Sequence, residues 1–225
     1  MIITIENLLP PESLEMIQKC LKNLTWQDGK KTAGGTAKQV KQNLQANLNS
    51  NGGQDIKDAV FSSINKNAVF TAFAQPKRFS NLLVSQTSDG GHYGLHNDNA
   101  IMQKDGRPMR TDLSFTIALN SPTEYEGGEL TIHTAGIVQS FRPQIGECVV
   151  YPTSALHEVT PVASGERIVS VGWVESLVQD PAERELLFDI TNLKVNLRRH
   201  LKANSIEMLT LDKINANLVR MWAKP

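Results

Sequence analysis

The 225-residue chain lacks a net charge: Lys plus Arg and Asp plus Glu are both 23. It therefore offers no overall field to hold nucleic acid or an anionic membrane. One locally basic segment, Lys30, Lys31, Lys38 and Lys41, reads as a solvated loop. Cysteine is scarce too. Cys20 and Cys148 stand far apart and outside any C-x-x-C spacing, which argues against a disulfide framework or a thiolate metal site and fits a reducing cytoplasm. The N-terminal MIITIENLLPPE has no basic segment and no long apolar core, and no later apolar run approaches the roughly 18 residues a membrane helix needs. A soluble, unexported protein with no membrane or nucleic-acid partner is expected. There is no internal repeat and no H-E-x-x-H, so the usual zinc-hydrolase helix is missing.

What is present fits one domain with a substantial core. After Pro10 and Pro11, residues 12–24 place Leu14, Ile17, Leu21 and Leu24 on one helical face, which needs a larger partner. From about 79 to 175 the pattern shortens to runs of five to eight apolar or β-branched residues between Gly, Pro and Asn: NLLVSQT, LSFTIAL, GGELTIH, GIVQSF, ECVVY, LHEVTPV and RIVSVGWV. Seven or eight short strands with turns between them predict a β-sandwich or jelly roll. At Asp180-Pro181 the pattern turns helical, Asp180 capping and Leu186, Leu187, Ile190, Leu193, Leu197 and Leu201 following at helical spacing. The fold class is α+β with a mainly β core: a double-stranded β-helix flanked by N-terminal and C-terminal helices. Three parts are expected: a helical and loop region over 1–78, the jelly roll over 79–177 and a helical region over 178–225. Residues 25–55 show no clear period and read as loop.

The chemistry starts in HYGLHNDNAI, residues 92–101. On a strand, residues i and i+2 face the same way, so His96 and Asp98 point inward together while Asn97 points out. With five His in the chain, H-x-D is expected roughly 0.2 times by chance, so the motif alone is weak. His157 adds a second imidazole from the short strand LHEVTPV. Ten residues later, alternation puts Arg167, Val169, Val171 and Trp173 on one face. If that face is the interior, a guanidinium enters an apolar cavity, and an anionic ligand is the economical explanation. Two neutral imidazoles and a carboxylate make the facial triad of non-haem Fe(II), which leaves three adjacent positions open. A dicarboxylate could chelate the metal at one end and meet Arg167 at the other.

The order H-x-D, His, then Arg ten residues on resembles the iron and 2-oxoglutarate-dependent dioxygenases. More narrowly, the chain resembles the PKHD-type hydroxylases, relatives of the prolyl 4-hydroxylase catalytic domain. The likeness runs through WQDGKKTAGGTAKQVKQNLQ, HYGLHNDNAI, RTDLSFTIALNSPTEYEGGELTI, GECVVYPTSALHEVTPVASGERIVSVGWVESLV and ERELLFDI. It implies His96, Asp98 and His157 as iron ligands, Arg167 as the 2-oxoglutarate anchor and Tyr93 as a neighbour of the cosubstrate, with packing as the alternative for Tyr93. It also implies oxidative decarboxylation of 2-oxoglutarate by O2 to succinate and carbon dioxide, coupled to hydroxylation, with L-ascorbate keeping the iron ferrous. The resemblance implies a peptide substrate, a peptidyl proline first, with a small molecule linked to iron uptake as the alternative. One departure stands out: the strand before the triad usually ends Arg-Tyr, and here LLVSQTSDGG carries Gln86 and Thr87.

Other residues carry blander readings. His92 is expected in a surface turn, His133 is unassigned, and His200 is expected to be solvated. Gly127 and Gly128 read as a turn entering a strand. Arg110 either lines the cavity mouth with Ser114 or pairs with a surface carboxylate. The stripe Ile214, Leu218, Met221 and Trp222 is expected to pack on the barrel, with a homodimer contact as the alternative. A cupin-like metal-binding protein without oxygenase activity would share the barrel and histidines but has no use for an inward Arg167.

Overall fold

The computed structural model describes residues 1–32 and 38–225. Five α-helices are found among them: α1 (Pro11–Leu21), α2 (Asn51–Lys66), α3 (Ala68–Ala74), α4 (Pro181–Leu197) and α5 (Ile206–Trp222). None is long and apolar enough to cross a membrane. The strands pair antiparallel in two main sheets. The larger runs Ile3–Ile5, Cys148–Pro152, Leu113–Ala118, Val162–Ser176, Leu83–Ser88, Leu44–Ala46 and Trp26–Asp28, with Pro76–Phe79 and Tyr125–Gly127 also paired to the long central strand. The smaller runs Ile137–Phe141, Leu130–Thr134, Leu156–Val159, His92–His96 and Lys41–Gln42. Both line one cavity, the arrangement of a double-stranded β-helix with helices outside it.

Alternation along each strand decides which residues reach the cavity. In Leu113–Ala118, Leu113, Phe115 and Ile117 join the core beneath the helices, together with Ile17, Ile56, Val60, Ile64 and Phe70. Ser114 and Thr116, of opposite parity, line the cavity. On Cys148–Pro152 the same rule sends Cys148 and Val150 to the helical layer, while Val149 and Tyr151 pack with Leu130 and Ile132. The two registers lock where Gly172 lies opposite Phe115. A Cβ at Gly172 would stand 2.5 Å from Phe115 Cζ, and the ring is itself held edge-on by Phe70 at 5.9 Å. Gly172→Ala is therefore expected to cost about 1–3 kcal/mol through overpacking, read as a lower urea midpoint at unchanged slope. An unchanged midpoint would show that the ring can yield.

Helix ends follow the chemistry of their caps. Asp180 accepts from the backbone N–H groups of Ala182 and Glu183 at the start of α4, and Pro181 occupies the first turn, where its missing N–H costs nothing. Ser50 caps α2 in the same way, its side chain accepting from Gly53 N. Gly127 and Gly128 take positive φ at the entry to Leu130–Thr134, as their turn requires.

Two expectations change. Residues 25–55, read as loop, supply the strands Trp26–Asp28, Lys41–Gln42 and Leu44–Ala46 and the start of α2; residues 33–37 lie outside the described residues. The missing period has a cause: these strands are two or three residues long, and their apolar and polar sides are inverted, with Leu44 exposed and Lys41 and Gln45 buried. The C-terminal stripe also differs. α5 packs along α4, with a Lys194–Asp212 ion pair between them, and its end returns to the sheet side through a Val178–Ala223 bridge. Met221 is 72% exposed and Ile214 40%, so this stripe does not pack on the barrel. On α4, Leu187 is fully buried while Leu186 and Leu193 face outward.

Candidate active site

His96 ends the strand His92–His96, and Asp98 follows two residues on. His157 comes from Leu156–Val159, and the register of these neighbouring strands sets it opposite His96. The ring centroids lie 4.3 Å apart. Ligand atoms of His96, Asp98 and His157 all fall within 4.8 Å of one another, the one such group among the described residues. Each ring is turned by its own backbone. His96 Nδ1 lies 2.7 Å from Gly94 O and His157 Nδ1 3.0 Å from Ala155 O. A carbonyl can only accept, so Nδ1 carries the hydrogen in both rings and Nε2 keeps its lone pair. These Nε2 atoms face the Asp98 carboxylate, His96 Nε2 3.8 Å from Oδ1 and His157 Nε2 3.5 Å from Oδ2. His96 Nε2 is buried and has no hydrogen-bond partner. Burial, followed by His157, pushes the His96 pKa well below its ordinary value, which keeps that ring neutral.

Asp98 is oriented by residues far away in sequence. Trp173 Nε1 donates to Oδ2 at 2.8 Å and Ser114 Oγ donates to the same oxygen at 3.0 Å. Because Ser114 gives its hydrogen to the carboxylate, Thr153 Oγ1 donates to Ser114 Oγ, 3.0 Å away. The inward face of the long strand carries Arg167, Val169, Val171 and Trp173 into the cavity, as alternation predicts. Arg167 is 3% exposed. Tyr125 is hydrogen-bonded to it and Tyr151 lies within electrostatic reach, and no carboxylate of the described residues forms an ion pair with it. Burial lowers the Arg167 pKa, and burial followed by Asp98 raises that of Tyr151.

Tyr93 stacks on His96 with ring centroids 3.6 Å apart and planes 19° from parallel. Lys41 Nζ sits over the Tyr93 ring, 4.9 Å from its centroid. The expected solvated loop is thus wrong for Lys41, which is 5% exposed and lines the cavity with Asn43 and Gln45. Together with Trp173 as the partner of Asp98, they are the site residues that sequence reasoning missed. Little in the sequence could have found Lys41, Asn43 and Gln45: Gln42 is polar as well, so the run shows no apolar-polar alternation.

The remaining candidates fall elsewhere. His92 begins a strand rather than a turn and meets Gly90 O at 3.2 Å, outside the cluster. His133 faces Glu158 at 3.4 Å. Arg110 takes the second of its two readings: it pairs with Asp112 through two bonds of 2.7 and 2.9 Å and donates to Ser176 O, whereas Ser114 lines the cavity alone. Of the departing strand residues, Thr87 faces the cavity and Gln86 faces away.

Comparison with known proteins gives a consistent result. The model of the 2OG-Fe(II) oxygenase superfamily matches residues 82–175. A PKHD-type hydroxylase of Hyphomonas neptunium is 45% identical over 221 residues, covering 98% of this chain and 99% of the relative. Among solved structures, a prolyl-4-hydroxylase of Pseudomonas putida superposes with a TM-score of 0.51 at 19% identity, covering 78% of this chain and 92% of that one. A prolyl hydroxylase of Trichoplax adhaerens, in complex with a hypoxia inducible factor peptide fragment, gives 0.54 at 16% identity over 82% and 86%. At these identities the structures speak for the fold, while the full-length likeness to the curated relative speaks for the family. The chain belongs to the PKHD-type hydroxylases, within the 2OG-Fe(II) oxygenase superfamily.

Proposed function

We propose that His96, Asp98 and His157 would hold Fe(II), that Arg167 binds the far carboxylate of 2-oxoglutarate, and that a substrate entering the same cavity is hydroxylated. The observation that carries this is the pairing, in one cavity, of a lone-pair cluster with a buried guanidinium lacking a carboxylate partner. Two Nε2 lone pairs and a carboxylate turned toward one another repel unless a cation stands between them, and the unpartnered His96 Nε2 fits that ion. When bound, Fe(II) supplies the redox chemistry by which O2 oxidatively decarboxylates 2-oxoglutarate and an oxygen atom is delivered to substrate.

The chain's own residues do the rest. The Gly94 and Ala155 carbonyls fix the imidazole tautomers, and Trp173 and Ser114 hold the Asp98 carboxylate against rotation. Arg167, itself buried, offers a planar fork for bidentate binding of a carboxylate in the cavity. Leu130, Val169 and Val171 give the same cavity an apolar wall. Tyr93 covers one face of His96 in the same cavity, which suits a neighbour of the cosubstrate.

Three finer assignments belong to the same reading. A peptidyl proline is the first substrate to try, since the two structures compared are prolyl hydroxylases. Ascorbate is expected to prolong turnover by keeping iron ferrous. A cytoplasmic location suits the two free cysteines.

Anaerobic addition of Fe(II) and 2-oxoglutarate should produce a weak visible charge-transfer absorption. Admitting air without substrate should then release succinate slowly. A protein that binds iron but neither absorbs nor forms succinate would favour the cupin-like alternative.

A further inference from the structure

Gly128 takes φ +64 in the turn that leads into Leu130–Thr134. Elsewhere the chain accepts positive φ with a side chain in place, at Asn7, Gln75, Asp89 and Asp105, so the turn alone does not account for a glycine. Its surroundings do. A Cβ at Gly128 would stand 2.8 Å from Arg167 Cδ, 2.9 Å from Val162 Cγ2 and 3.3 Å from Tyr125 Cε2. Val162 is fully buried and β-branched, so the long, unbranched stem of Arg167 is the neighbour that would have to yield. Gly127 differs: the three atoms nearest to a Cβ there are backbone atoms of Pro161 and Ala163.

The head of Arg167 is seated by the same turn. Tyr125 is hydrogen-bonded to it, the phenol oxygen accepting because a guanidinium can only donate. Tyr125 is held in its turn. Arg142 Nη2 donates to its carbonyl at 2.7 Å and to Pro122 O at 2.6 Å, and the Arg142 guanidinium lies over the Tyr125 ring, 5.1 Å from the centroid. Strand pairing sets Tyr125 opposite Gly165, two residues before Arg167. Arg167 lines the cavity, whereas Tyr125 and Gly128 do not, so they act on a ligand there through Arg167.

We infer that Gly128 and Tyr125 are positioning residues for the cosubstrate anchor: the glycine leaves room for the stem of Arg167, the phenol holds its head, and together they fix where the guanidinium stands in the cavity. This rests on the assignment of Arg167 to the far carboxylate of 2-oxoglutarate. A guanidinium already held in place loses little freedom when the carboxylate arrives, which favours binding.

The test uses the full chain loaded with Ni(II), which binds the cosubstrate without turning it over. Calorimetry compares 2-oxoglutarate with pyruvate, which offers the metal the same 2-oxo acid group but has no second carboxylate. Misplacing a group by about 1 Å can cost on the order of 100-fold, so Gly128→Ala should weaken 2-oxoglutarate by at least about 10-fold. Pyruvate and Ni(II) affinities should stay at parent values. In an Arg167→Ala background, which has no Cδ to displace, Gly128→Ala should have no further effect on 2-oxoglutarate. Tyr125→Phe removes the acceptor and keeps the ring, and should weaken 2-oxoglutarate several-fold while sparing pyruvate; it answers even where Gly128→Ala does not fold. Parent-like 2-oxoglutarate affinity in either variant overturns the inference. So does an equal loss for pyruvate, or a Gly128→Ala effect that persists without the Arg167 side chain, since either would mark general damage to the fold. The parent protein is measured first: if it does not bind 2-oxoglutarate, the functional reading falls and this inference with it, whereas normal parent binding with parent-like variants removes the positioning role alone.

Discussion

Arg167→Ala raises the dissociation constant of 2-oxoglutarate by about 30-fold to several thousand-fold, and Fe(II) binding barely changes. The size follows from truncating one partner of a buried, hydrogen-bonded charge pair, about 2–5 kcal/mol. The separation of effects follows from place: Arg167 is hydrogen-bonded to Tyr125, and the metal cluster is built from other strands. Arg167→Lys should recover part of the loss, since an ammonium reaches one oxygen but lacks the planar fork. Calorimetry on the metal-loaded protein decides. Parent-like affinity in Arg167→Ala would remove the anchor, and Arg110 could not replace it, because its guanidinium is already committed to Asp112.

The second large effect is expected from Asp98→Ala. It removes the carboxylate of the cluster and leaves Trp173 Nε1 and Ser114 Oγ, both donors, aimed at the emptied position. Two imidazoles with no anionic ligand hold a divalent ion poorly, so affinity should fall by more than about 100-fold, beyond the 10–100-fold typical of losing an outer-shell partner. Turnover should vanish with it. His92→Ala is the control: its ring lies outside the cluster, and iron affinity should stay near the parent value. Anaerobic Fe(II) titration with circular dichroism on each variant separates metal loss from unfolding. Equal losses in the two variants would mean that the ligand set is wrong.

Much of the site was legible because period two is a local property. Arg167, Val169, Val171 and Trp173 could be put on one face, and His96 beside Asp98, without knowing which strands are neighbours. The same rule sorts Phe115 and Ile117 from Ser114 and Thr116. The rule failed where runs were too short to show a period. Lys41, Asn43 and Gln45 sit on strands of two or three residues, and polar residues there look like loop whichever way they point. The C-terminal stripe failed for a different reason: an apolar helix face shows that some partner is wanted, and here α4 takes α5 along part of its length.

The sequence by itself determined the kinds of side chain available and the parity with which each strand delivers them: two imidazoles, a carboxylate and a guanidinium in the order and spacing of the family. Tertiary structure alone decided three things. It set His157 opposite His96 through strand register. It brought Trp173 and Ser114 onto one oxygen of Asp98 from 75 and 16 residues away. It folded Lys41 against Tyr93 and turned a surface-like basic stretch into the wall of the cavity. The physical reason is common to all three: parity is fixed by the backbone of one strand, whereas pairing and burial are fixed by which strands meet, and those contacts join residues that the linear order keeps apart.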